Sequence, residues 1–259
     1  LKKGNATNGA TGARLEISRR LAAGSVGAGH LAGVARLCFE AAGNDPDGRD
    51  LLALGFDAAL AAWEEDLLSP LLPGYLLALD ETLKTLSPQT RFLLQNLAPR
   101  LAPPPSQAYL DRLKAAGDPE KLESHINARL DEEPAALFFL REYLSLARTT
   151  GDLTGYRRRL DRPWPGNIAP VQALLTAEAD LAMDRPEAAL AGFDAAGEAV
   201  SRAFRRQGRA RSLLASGKRD DAAQALAAAL AERPWQTNNL LVLHDLAFGL
   251  DAAKTPLPG

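Results

Sequence analysis

Residues 184–234 read DRPEAALAGFDAAGEAVSRAFRRQGRARSLLASGKRDDAAQALAAALAERP, and their spacing decides the fold. Asp184-Arg185-Pro186 and Gly217-Lys218 are residue types that end one helix and begin another, and they stand 33 positions apart. Five residues after each mark comes an alanine, Ala189 and Ala222, and four residues later a larger apolar side chain, Phe193 and Leu226. Positions i and i+4 share a helix face, so each pair puts a small and a large residue on one buried stripe. Pro234, eight residues beyond Leu226, stops that helix.

The pattern extends toward the N-terminus. Gly151-Asp152 and Gly117-Asp118 carry the marks back at spacings of 33 and 34, giving a series of 34, 33 and 33. The matching pairs are Tyr156 with Leu160 and Leu122 with Ile126, and Pro134 closes the earliest unit as Pro234 closes the latest. On these residues, about 106–250, the chain resembles the tetratricopeptide repeat family, a 34-residue helix-turn-helix with A-x₃-F and a closing proline in its second helix. The first-helix signature of that family, W-x₂-L-G-x₂-Y, is not matched: the corresponding positions before Gly217 are Arg206, Arg209, Ala210 and Leu213. The unit after Gly151 departs too, because Arg162-Pro163-Trp164-Pro165-Gly166 cuts its second helix short. The resemblance implies an all-α, right-handed α-solenoid of antiparallel helix pairs, some 13 or 14 helices over the whole chain.

Composition supports an all-helical chain. Leu and Ala dominate, while five Val and three Ile leave strands without the β-branched residues they favour. Before the repeats, helical segments HLAGVARLCFEAA, DGRDLLALGFDAALAAWEEDLL, GYLLALDETLKTL and QTRFLLQNLAPRL alternate with breaks at Gly43-Asn44, Ser69-Pro70 and Ser87-Pro88. Pro103-Pro104-Pro105 is the strongest break. The expected organisation is a flexible tail over 1–12, an N-terminal helical region over 13–102, repeats with a C-terminal capping helix over 106–251, and a linker over 252–259.

The formal net charge of −2 gives no global pull toward nucleic acid or an acidic membrane, and neither is an expected partner. The longest uncharged stretch, Leu21 to Ala35, is too short and too rich in glycine to span a bilayer. Cys38, the one cysteine, sits in an apolar run and reads as a buried thiol in a reducing, cytoplasmic setting.

Motifs that could carry chemistry lack their supporting context. Gly27 to Gly33 has the spacing G-x-G-x-x-x-G, yet helical sequence precedes it where a strand is required, so it reads as a helix-helix turn. Asp45-Pro46-Asp47 has a DxD form, read as a turn with Asp47 capping the next helix. His30, His125 and His244 are too scattered for a zinc site, and His244-Asp245 reads as a surface pair. Basic residues cluster at Arg157-Arg158-Arg159 and along Arg202, Arg205, Arg206, Arg209 and Arg211, read mainly as solvated faces. No cofactor, metal or catalytic residue is expected.

A second resemblance lies at the end. Pro234-Trp235 through Leu243-His244-Asp245-Leu246 to Pro256-Leu257-Pro258-Gly259 looks like the junction between a helical-repeat region and a family 2 glycosyltransferase domain in some bacterial proteins. That composition reads as a linker toward further sequence, and any transferase activity would lie beyond it.

The expected role is a non-catalytic scaffold whose concave groove receives a protein or peptide. The alternative is an accessory region of a larger bacterial glycosyltransferase. By the first resemblance, the groove positions are Lys114, then Arg141, Ser145 and Arg148, then Glu178, then Gln207 and Arg211. This set is net positive and implies an acidic segment or terminal carboxylate as partner.

Overall fold

A computed structural model describes residues 28–42 and 48–233, and every regular element among them is helical. The helices are α1 (Ala28–Ala42), α2 (Arg49–Glu65), α3 (Leu72–Leu83), α4 (Pro88–Leu101), α5 (Gln107–Ala116) and α6 (Pro119–Glu132). They continue as α7 (Leu137–Thr150), α8 (Leu153–Leu160), α9 (Ala169–Ala182), α10 (Pro186–Ala195), α11 (Arg202–Ala215) and α12 (Arg219–Glu232). Short 3₁₀ turns at Gly166–Ile168 and Gly197–Ala199 precede α9 and α11. None of the described helices is long and apolar enough to cross a membrane.

The marks at 117, 151, 184 and 217 are the hinges between α5 and α6, α7 and α8, α9 and α10, and α11 and α12. Gly117, Gly151 and Gly217 have φ of 65°, 78° and 76°, and Asp184 has 58°. A left-handed residue ends a helix by turning the chain back, which glycine does without steric cost and Asp tolerates better than most residues. At two of the four the next residue caps the following helix: Asp118 accepts from the N–H of Lys121 at 3.0 Å, and Asp152 from that of Gly155 at 2.9 Å. Of the eight paired positions, seven are buried and Leu122 is half-buried.

Close approach depends on small residues. A Cβ on Gly192 would lie 2.8 Å from the Ala177 Cβ, and one on Gly208 would lie 2.5 Å from the Phe193 ring. The α1–α2 contact uses the same device, since a Cβ on Gly55 would meet the Cys38 Cβ at 2.7 Å. Cys38 is buried, and burial pushes its thiol pKa up to about 11.

The N-terminal helices fold back onto the later ones. Helix α4 packs against α7 and against both 3₁₀ turns, and the Asn167 side-chain amide donates to the Asn96 side-chain oxygen at 2.5 Å. At the end of α2, Glu64 is 1% exposed; one carboxylate oxygen accepts the Ser201 backbone N–H at 2.8 Å and the other is held by the Arg233 guanidinium. One buried core therefore runs from Leu31 to Phe204, and Pro103-Pro104-Pro105 interrupts the helices without interrupting the core. A smaller cluster of Ala210, Leu213, Leu214, Ala222 and Leu226 joins α11 to α12.

Three local expectations are corrected. Ala28 to Gly33 lie inside α1, so the glycine-rich stretch there is helix rather than turn. Helix α2 ends at Glu65, a turn before Ser69-Pro70, with Leu67 and Leu68 buried in the turn that follows. Helix α3 ends at Leu83 because Lys84 is left-handed at φ 56° and the Asp80 carboxylate caps the backbone N–H groups of Thr85 and Leu86, each at 2.8 Å. The tail over 1–12, Asp45-Pro46-Asp47, His244-Asp245, the capping helix after Pro234 and the linker over 252–259 fall outside the described residues.

Candidate functional site

The expected groove positions divide into ion-paired, packed and exposed residues. Helix α5 carries Lys114, whose Nζ lies 2.5 Å from a carboxylate oxygen of Glu142 on α7. Glu178 on α9 and Arg211 on α11, 33 residues apart, are brought together in a two-pronged pair at 2.8 and 3.1 Å. Burial works against the Arg211 cation, but Glu178 and then Glu65 outweigh it and hold its pKa above the usual value. Gln207 is 1% exposed and belongs to the packing between helices. Lys114 ties α5 to α7 and Arg211 ties α11 to α9, and Gln207 and Arg211 are not open to a ligand as an unoccupied groove requires.

Helix α7 differs. Arg141, Ser145 and Arg148 are all exposed, and their i, i+4, i+7 spacing sets them on one face. Neither arginine has a hydrogen bond or ion pair among the described residues. The opposite face of α7 is anchored by buried Leu140, Tyr143 and Ala147, so the free guanidinium groups project from a fixed element. The α7–α8 crossing is tight, since a Cβ on Gly155 would lie 2.7 Å from the Tyr143 hydroxyl.

Most other basic residues are engaged internally. Arg157 pairs with Asp180 at 2.9 Å and also with Asp161, and Arg159 binds Asp131 and the Asn127 side chain. Arg206 pairs with Glu232 at 2.5 Å, and Arg209 reaches both carboxylate oxygens of Asp194 at 2.8 Å. Arg202 and Arg205 are left unpaired among the described residues. Of the histidines, His125 packs edge-to-face on Tyr109 and Phe139 at centroid distances of 5.0 and 6.1 Å. No group of three His, Cys, Asp or Glu side chains arranged to hold a metal occurs among the described residues.

Reading the sequence missed the carboxylates that face the expected groove residues, Glu142 beside Lys114 and Glu65 beside Arg211, and the buried Glu64. One signal was available: Glu178 and Arg211 carry opposite charges and stand 33 residues apart, the spacing of the hinge marks at 151, 184 and 217. No protein-family model matches the chain, and no curated protein and no solved structure matches it.

Proposed function

We propose that this chain is a non-catalytic helical-repeat scaffold that binds an acidic protein segment through the exposed face of α7. The observation that carries the reading is the set Arg141, Ser145 and Arg148: two unpaired guanidinium groups and a hydroxyl on one face of a firmly packed helix. A guanidinium grips a carboxylate through two parallel charge-assisted hydrogen bonds, and that geometry selects acidic side chains or a chain terminus. The right-handed solenoid of tetratricopeptide type is supported by left-handed hinges at spacings of 34, 33 and 33 and by ion pairs joining α5 to α7 and α9 to α11. Within it, Lys114, Glu178, Gln207 and Arg211 hold the stack, and the ligand-facing charge is that of α7. A reducing, cytoplasmic setting fits the buried, unpaired Cys38.

The test uses a labelled oligoglutamate peptide and its oligoglutamine counterpart. The glutamate peptide binds, the glutamine peptide does not, and affinity falls with salt. Arg148→Ala weakens binding by roughly 1.5–3 kcal/mol, the range for hydrogen bonds to charged groups. Arg158→Ala, on α8, leaves it unchanged. Equal binding by wild type and the Arg141→Ala, Arg148→Ala double variant sinks the reading.

A second reading, an accessory region of a bacterial family 2 glycosyltransferase, rests on the resemblance carried by residues 234–259. In that case α7 receives a segment of the enzyme or of its acceptor protein, and the sequence following residue 259 in the gene decides it.

A further inference from the structure

Arg202 and Arg205 are the two members of the α11 basic run that no carboxylate neutralises among the described residues. They stand one turn apart at the start of the helix, where unsatisfied backbone N–H groups already carry partial positive charge. The first turn of α11 holds no acidic residue. Cations are favoured at the opposite end of a helix, so two of them here are a local conflict, and conflicts of this kind concentrate at functional sites.

Five observations give the conflict a place and a partner. Both arginines line a cleft of about 270 Å³ where α2 and the α3–α4 turn meet the start of α11. The Arg205 Nε is buried there with no acceptor among the described residues, and a buried donor left unmatched is costly. The cleft also has an apolar side, formed by Phe56, Leu60, Leu86 and Val200. Its one acidic residue, Glu198, makes no ion pair among the described residues, so the two guanidinium groups outnumber it. Helix α4 also begins at this cleft, and its first turn, like that of α11, contains no acidic residue.

We propose that this cleft binds a small organic acid, a carboxylate on a short apolar stem. The carboxylate sits between Arg202 and Arg205 and the stem lies against Phe56, Leu60, Leu86 and Val200. At about 270 Å³ the cleft falls just below the range for ligand pockets, roughly 300–1,000 Å³, which limits the ligand to about the size of octanoate. Phe56 and Leu60 belong to α2 and both arginines to α11, so the ligand bridges the two parts of the molecule beside the Glu64–Ser201 hydrogen bond. The site does not depend on the α7 face.

Titration calorimetry with octanoate, octanol and inorganic phosphate tests the assignment, with amide chemical shifts as a second readout. Octanoate binds best and moves the resonances of Leu86, Ser201 and Arg205. Arg202→Gln, at an exposed position, weakens it about tenfold, in line with loss of one charged hydrogen bond, and adding Arg205→Gln abolishes it. Arg209→Gln, whose side chain is bonded to Asp194, and Arg148→Ala, on the peptide-binding face, leave octanoate affinity unchanged. Octanol binding as well as octanoate, phosphate binding as well as octanoate, or octanoate binding undiminished in the Arg202→Gln variant each overturns the proposal.

Discussion

Glycine appears in this chain in two opposite roles, and substitution by alanine separates them. Gly208 lies in α11 with its Cα against the ring of Phe193, which is fully buried and has no room to retreat. A methyl group there would sit 2.5–2.6 Å from three ring carbons. Alanine is favoured over glycine inside a helix by roughly 1 kcal/mol, whereas overpacking a core costs roughly 1–3 kcal/mol. The contact is severe enough for the second effect to win, so Gly208→Ala lowers stability in urea by about 1–2 kcal/mol. Gly74, in α3, has nothing within 4 Å of the position a Cβ would take. Gly74→Ala therefore raises stability by about 0.5–1 kcal/mol, because it restricts the unfolded chain without a clash. If both variants moved in the same direction, the close helix crossing at Phe193 would not be the determining contact.

Helices of 8 to 17 residues such as these are marginal alone in water, so their ends matter as much as their faces. Helix α8 is the shortest, with Tyr156 and Leu160 buried on one side and the Asp152 carboxylate satisfying the Gly155 N–H at its start. Asp152→Ala removes that acceptor and costs about 1 kcal/mol, with amide exchange accelerating first over residues 153–160. Unchanged exchange there would mean that burial of Tyr156 and Leu160 alone holds the helix. Two other carboxylates, Asp118 at the start of α6 and Asp131 near its end, tie stability to pH. The Lys121 ammonium hydrogen bond lowers the pKa of Asp118, and the Arg159 hydrogen bond lowers that of Asp131. A carboxylate whose folded pKa lies below the unfolded value of about 3.9 stabilises above that value and loses its contribution as pH falls through the folded pKa. Stability in urea should therefore fall as pH drops below about 4. An Asp118→Asn, Asp131→Asn double variant should show a shallower fall, and equal slopes would assign the acid transition to other groups.

At the scale of the molecule, the Glu64 carboxylate joins residues 137 and 169 positions away in sequence, Ser201 and Arg233. Glu64→Gln leaves a side chain that still accepts the Ser201 N–H but no longer balances the buried Arg233 cation. Breaking a buried pair by removing one charge costs roughly 3–5 kcal/mol. The expected outcome is a loss of that size, with exchange protection falling together at the start of α11 and the end of α12. A loss below about 1 kcal/mol would show the contact to be incidental. The helical class and the hinges at 117, 151, 184 and 217 were legible in the sequence. Helix propensity, the i, i+4 pairing of Ala189 with Phe193, and the left-handed preference of glycine are local properties that each short segment carries for itself. The glycine-rich stretch at Ala28 to Gly33 reads as a turn in sequence although it is helix, because isolated glycines inside a helix carry the same local signature as a break. The sequence also marked Arg141, Arg148 and Arg211 alike, as members of one positive groove set. Only the tertiary structure separated them, by setting Glu178 and Glu65 beside Arg211 and leaving Arg141 and Arg148 without a carboxylate partner among the described residues. It likewise decided that α4 packs on the 3₁₀ turns preceding α9 and α11 and that Arg202 and Arg205 share a cleft with α2. Charge pairing depends on distances of a few ångströms between residues far apart in sequence, and those distances follow from how the helices stack rather than from any one segment.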